Sequence, residues 1–130
     1  MAQPDTWYAY FHLCGSFDPD DITRAVGVKP TETAREGDPI GDGTKCRQCS
    51  LWALHSRKKS AELETQVRDV LDQLDENRVG FERLSRELGG TMELVGYFRD
   101  REPGVALDGE LIRRMAFYGL TLDCDFYNWR

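Results

Sequence analysis

Four groups of residues in this chain have types and spacings that chemistry uses. Cys46-Arg47-Gln48-Cys49 sets two thiols in a C-x-x-C loop. Such a loop holds zinc when two further ligands complete a tetrahedron, and works as a redox pair when its first thiol sits at a helix N-terminus. The sequence has no second C-x-x-C, so the missing zinc ligands would come from Cys14, Cys124, His12, His55, an acid or another chain. The residues after Cys49 read as a strand, which withholds the helix dipole a redox thiol needs. Two loop thiols with no role is the plainer reading. Asp123 and Asp125 stand two apart on one face of an extended segment. Carboxylates so placed raise one another's pKa or hold a divalent cation, whereas a solvated strand face that blunts a sheet edge explains them without a ligand. His12 and His55 fall in two strand-like segments and would approach each other if those strands were neighbours. Imidazole suits acid–base work, although a packed, hydrogen-bonded strand histidine is the commoner case. Tyr8, Tyr10, Tyr97, Tyr127 and Trp129 form the fourth group: aromatics near strand ends that would line one sheet face beside acids. If open, that face binds protein; if covered by a helix layer or a second chain, it is core, and the covered arrangement is the one expected. No G-x-S-x-G, H-E-x-x-H, P-loop or G-x-G-x-x-G occurs.

These groups must be positioned by regular elements, and the central one is Trp7 to Cys14. Trp7, Ala9, Phe11 and Leu13 alternate with Tyr8, Tyr10, His12 and Cys14, and neither set is strongly polar. That pattern predicts a middle strand. Asp18-Pro19-Asp20-Asp21 then opens a helix that Gly27 closes, with Ile22, Ala25 and Val26 inward. The three acids fit capping and the helix dipole rather than a metal cluster. Thr31 to Arg35 reads as a short edge strand, and residues 37–43 as a mobile, turn-rich loop. Ser50 to Ser56 is a strand with two apolar faces. From Ser60, a plausible cap, to Arg78 the spacing of Leu63, Val67, Val70, Leu71 and Leu74 predicts the longest helix. Gly80 interrupts it, and Phe81, Leu84 and Leu88 mark a shorter one. Thr91 to Phe98 alternates as a strand. Asp108 caps a last helix with Leu111, Ile112, Met115 and Ala116 inward, and Leu120 to Tyr127 alternates as a final strand. The order predicts one α+β domain over 1–130: a ferredoxin-like βαββαβ sandwich with an added C-terminal helix and strand, on a mostly antiparallel sheet.

Composition narrows the function classes. The formal net charge of −6 repels phosphate and so disfavours nucleic acid and anionic membranes, while favouring a basic partner. Apolar runs are too short to span a bilayer, and Met1 to Asp5 has no signal-peptide pattern, so a cytoplasmic protein with reduced thiols is expected.

The chain resembles the family catalogued as domain-of-unknown-function family 4279. The resemblance rests on Cys14-Gly15, Phe17-Asp18-Pro19-Asp20-Asp21-Ile22-Thr23, Gly27-Val28-Lys29-Pro30-Thr31, Gly37-Asp38, Leu51-Trp52-Ala53-Leu54 and Leu120 to Tyr127. It covers nearly the whole chain, and Cys46/Cys49 lies outside the pattern. The resemblance implies a small bacterial protein and transfers no catalytic residue; some such proteins serve as immunity proteins beside toxins. The expected function is therefore a non-catalytic binding module for a basic partner protein or a second copy. Its face is Tyr8, Tyr10, His12, Tyr97, Asp123, Asp125, Tyr127 and Trp129, and it carries no cofactor. The alternative is a metal-binding or hydrolytic enzyme using the strand His and Asp residues, with zinc at Cys46 and Cys49.

Overall fold

The computed structural model describes residues 4–59, 61–101 and 104–129. Strand β1 (Thr6–Gly15) is followed by helix α1 (Pro19–Val26), whose start and stop are both written in its residues. Asp18 accepts the Asp20 N–H at 2.9 Å, Pro19 takes the first helical position, and Gly27 ends the helix at φ 70°. The buried stripe is Pro19, Ile22 and Val26; Ala25, expected inward, is exposed because that stripe passes it by. Strand β2 (Glu32–Ala34) is the expected edge strand. The segment read as a mobile loop instead folds into a small two-stranded ladder, β3 (Pro39–Ile40) with β4 (Lys45–Cys46). Gly41 and Gly43, at φ 61° and 86°, supply the left-handed turn between them.

Strand β5 (Ser50–His55) leads to helix α2 (Leu63–Leu74). Leu63, Val67, Val70, Leu71 and Leu74 are all buried, as their spacing predicts. The expected cap Ser60 lies outside the described residues, and Glu62 holds the cap position without a side-chain bond. The helix also ends before Arg78. A 3₁₀ turn over Asp75–Asn77 breaks it, and Asn77 starts helix α3 (Arg78–Leu88) by accepting the Gly80 N–H at 3.0 Å. Gly80 is thus part of a new helix start rather than the break itself; a Cβ there would meet the Asn77 side chain at 2.9 Å. Strand β6 (Thr91–Phe98), helix α4 (Gly109–Phe117) and strand β7 (Thr121–Asn128) complete the chain. Asp108 caps α4 by accepting the Leu111 N–H at 2.9 Å. Its inward stripe is Leu111, Met115 and Tyr118; Ile112 and Ala116, expected inward, face water.

Five strands form one mixed sheet in the order β2-β5-β1-β6-β7, with β1 in the middle. All neighbours are antiparallel except β6 and β7, which run parallel and are joined by a crossover through α4. Ala9, Phe11 and Leu13 of β1, Trp52 and Leu54 of β5, and Met92 and Leu94 of β6 share a single core with the apolar stripes of the helices. The helices therefore occupy one side of the sheet, in the layered arrangement expected of an α+β domain. No described helix is long and apolar enough to cross a membrane.

Beyond His55, β5 stops opposite the middle of β1, and the outer edge of residues 7–9 would lose its partner. Gln66, fully buried in α2, takes that place. Its Oε1 accepts the Ala9 N–H at 3.0 Å, and its Nε2 donates to the Trp7 and Ala61 carbonyls at 3.3 and 3.0 Å. One amide side chain thus replaces a missing strand.

Candidate functional site

Among the described residues, no helix lies on the side of the sheet opposite the core. Period-2 alternation puts Tyr8, Tyr10, His12 and Cys14 of β1 on it, and their neighbours follow from the register. These are Glu32 of β2; Leu51, Ala53 and His55 of β5; Glu93, Val95 and Tyr97 of β6; and Asp123, Asp125 and Tyr127 of β7. The strand positions of this face include four acids and no Lys or Arg. The helix cover expected for the aromatic face is thus absent among the described residues; the rings meet water.

A continuous line of contacts crosses the face. Glu32 Oε1 lies 3.3 Å from His55 Nε2, and the His55 ring stacks on Tyr10 at 4.6 Å with a 7° interplanar angle. Tyr10 touches Tyr8 on one side, at 6.0 Å, and His12 on the other, at 5.5 Å. His12 Nε2 then meets Glu93 Oε1 at 3.2 Å. Glu93 is opposite Asp123 in the parallel β6/β7 register, and Val95 is opposite Asp125, so the three carboxyl groups converge. Their oxygens lie within 4.8 Å of one another. At the far end Tyr97 stacks on Tyr127 at 5.0 Å and meets Trp129 in a tilted contact at 5.4 Å. The two histidines do not meet: β5 and β1 are neighbours, but the Tyr10 ring separates them.

Burial and crowding set the protonation of this line. Glu93 is 6 % exposed, and its carboxyl is pushed up to about 8, first by burial and then by Asp123 and Asp125 beside it. Burial holds the His12 imidazole below its usual range, against a weaker pull from Asp123. His12 Nε2 lies 3.2 Å from Glu93 Oε1, while Glu93 Oε2 is buried with no hydrogen-bond partner. The His12 Nδ1 is 3.5 Å from the Cys14 sulfur, which extends the chain by one group. Tyr10 is pushed up to about 12, by burial and then by Glu93, so its hydroxyl stays protonated.

Of the residues singled out from the sequence, Tyr8, Tyr10, His12, Tyr97, Asp123, Asp125, Tyr127 and Trp129 do share this face. Cys46 lies in the small β3/β4 ladder, opposite Pro39, away from that line. Cys49 lies by Cys14 instead; burial first, and then Cys49 beside it, raises the Cys14 thiol pKa. Cys124 points to the helix side of β7, in register with Leu94. Among the described residues, the convergence of three ligating side chains is the carboxylate trio, not the C-x-x-C loop. Glu93 was missed by the sequence reading, although an acid amid Met92, Leu94 and Val95 was the available signal. Glu32, which completes the line, gave no signal.

A cleft of about 360 Å³ opens beside this face, lined by Trp7, Tyr8, His55, Lys59 and Gln66, with neither His12 nor an acid of the trio in its wall.

The family model described as Domain of unknown function (DUF4279) matches residues 5–129. The chain belongs to that family. The match spans every strand and helix of the described residues, so the open face of the sheet is part of the family domain. No curated protein and no solved structure matches the chain.

Proposed function

We propose that the protein is a non-catalytic binding module whose open sheet face takes a cationic segment of a partner protein. One observation carries this reading: β1, β5, β6 and β7 present Tyr and His rings, with Trp129 just after β7, around Glu32, Glu93, Asp123 and Asp125, with no Lys or Arg at a strand position of the face. Arg and Lys side chains stack on such rings and bond such carboxylates, so aromatic and acidic groups together favour a basic partner. The net charge of −6 steers the same partner from a distance. Masking a basic protein is the task of an immunity-type inhibitor, and the face suits it. The strand order β2-β5-β1-β6 with all-antiparallel pairing supports reading the first βαββαβ portion as ferredoxin-like, with α4 and β7 added. The rival reading, chemistry at the strand histidines and aspartates, has the His12–Glu93 pair in its favour. The cleft stays clear of that pair, which favours binding over turnover.

Amide NMR titration with an Arg/Lys-rich peptide tests the reading. Saturable shifts on β1, β5, β6 and β7 are expected, weakened about tenfold, roughly one charge-assisted bond, by Asp125→Asn. Shifts confined to the helix side, or no saturation, overturn it, as does a stable dimer in which a second copy already occupies the face.

A further inference from the structure

We propose that Glu93, Asp123 and Asp125 form a binding site for a hard divalent cation of the Ca²⁺, Mn²⁺ and Mg²⁺ class. The parallel register of β6 and β7 brings the three carboxyl groups together, and their oxygens lie within 4.8 Å of one another. Oxygens sharing one such ion at about 2.1–2.5 Å stand about 3 to 5 Å apart, so the trio closes on an ion with side-chain adjustments alone. The donor set is all carboxylate, which selects hard cations over zinc and leaves the remaining positions to water.

A second observation separates this cluster from an ordinary solvated acidic face. Glu93 is 6 % exposed, and its Oε2 is buried with no hydrogen-bond partner. Its other oxygen is engaged by His12 Nε2 at 3.2 Å, which fixes the carboxyl group in place and leaves Oε2 for the aspartates and whatever sits between them. An exposed and a half-buried aspartate guarding an edge strand have no use for a third, buried carboxylate beside them.

The rest of the molecule shows how this chain treats acid clusters it intends to neutralise itself. Asp18 and Asp20 share Arg35 at 2.8 and 2.9 Å, and Asp72 and Asp75 share Arg114 at 2.8 Å to each. The buried Asp69 holds Arg57 at 2.8 Å. Among the described residues no Lys or Arg forms an ion pair with Glu93, Asp123 or Asp125. Among the described residues, the trio is a compact acidic site that no Lys or Arg neutralises.

This inference does not require a protein partner, and the two readings can fail separately. The test is titration of Mn²⁺ into metal-free protein, followed by electron paramagnetic resonance, calorimetry and paramagnetic broadening of amide signals. One saturable site is expected, with broadening centred on residues 93, 123 and 125, and with displacement by Ca²⁺ or Mg²⁺. Asp123→Asn, Asp125→Asn and Glu93→Gln should each weaken Mn²⁺ at least tenfold while circular dichroism stays native. No saturation up to about 10 mM, beyond the weakest calcium modules at about 1 mM, overturns the site. So does Mn²⁺ affinity unchanged in all three variants, or binding of Zn²⁺ alone that Cys46→Ser abolishes. Mn²⁺ binding with no peptide binding rejects only the partner reading; the reverse result rejects only the metal.

Discussion

Ala9, Phe11 and Leu13 belong to the same strand as Tyr8, Tyr10 and His12, yet the two sets live in different solvents. The first three are fully buried under the helices, with Phe11 edge-on to both Trp52 and Phe81. The second three are half-buried, stacked on one another and on His55, and tied to acids. One face is held by exclusion of water and close packing. The other keeps its order in contact with water because Tyr and His rings offer an apolar body and a polar tip.

The largest test of this contrast compares neighbouring residues. Phe11→Ala should cost about 3–5 kcal/mol by cavity formation, while Tyr10→Ala should cost roughly 1 kcal/mol, the worth of ring pairs on a wet face, both read from urea unfolding. Equal costs would mean that the open face is covered in solution. Next comes Gln66→Ala. It strands the Ala9 N–H and the Trp7 carbonyl at the point where β5 stops, so a loss of about 1–3 kcal/mol is expected. Faster hydrogen exchange at the Ala9 amide would accompany it; unchanged exchange would show that the strand edge does not depend on Gln66.

The smallest effect is a pH dependence belonging to the open face alone. Glu93 titrates near 8 in the fold and near 4.5 unfolded, so the folded state binds the proton more tightly. Its contribution to stability is complete below pH 4.5 and is lost as pH rises through 8. In metal-free protein, about 1 kcal/mol should disappear between pH 7 and 9, and Glu93→Gln should flatten that slope. An equal slope in the variant would place the titrating group elsewhere. Asp69 works in the opposite direction: its burial is outweighed by bonds from Arg57 that hold its pKa below the usual range, so its stabilisation is lost as pH falls through the acid range.

Much of the architecture was legible in local residue patterns. Asp18-Pro19 and Asp108 announce helix starts because a short acceptor side chain satisfies free N–H groups within its own turn. The alternation along residues 7–14, 91–98 and 120–127 announces strands, and along 7–14 and 91–98 the grouping on each face, whereas in edge strand β7 Leu122 and Cys124, which alternation turns toward the core, are exposed. Errors fell where a neighbour in space decides. Ala25, Ile112 and Ala116 are apolar and helical, but exposed, because the stripe each helix buries depends on how it docks. The 60–78 helix was read through a real break, since Asn77 capping Gly80 looks from sequence like ordinary helix interior. Within the candidate site, the two aspartates and the aromatics were visible, and Glu93 was not. An acid in an apolar strand has meaning only once its opposite residue is known.

Taken alone, the order of residues determined the elements, the middle strand and the division of its side chains into two sets, because strand alternation and helix capping are steric matters within a few residues. The tertiary structure alone decided that every helix docks on one side, that a glutamine closes the unpaired edge, and that a parallel pairing presses Glu93 against Asp123 and Asp125. Those outcomes depend on contacts between distant segments, where burial and charge are properties of the assembled fold and not of any stretch of chain.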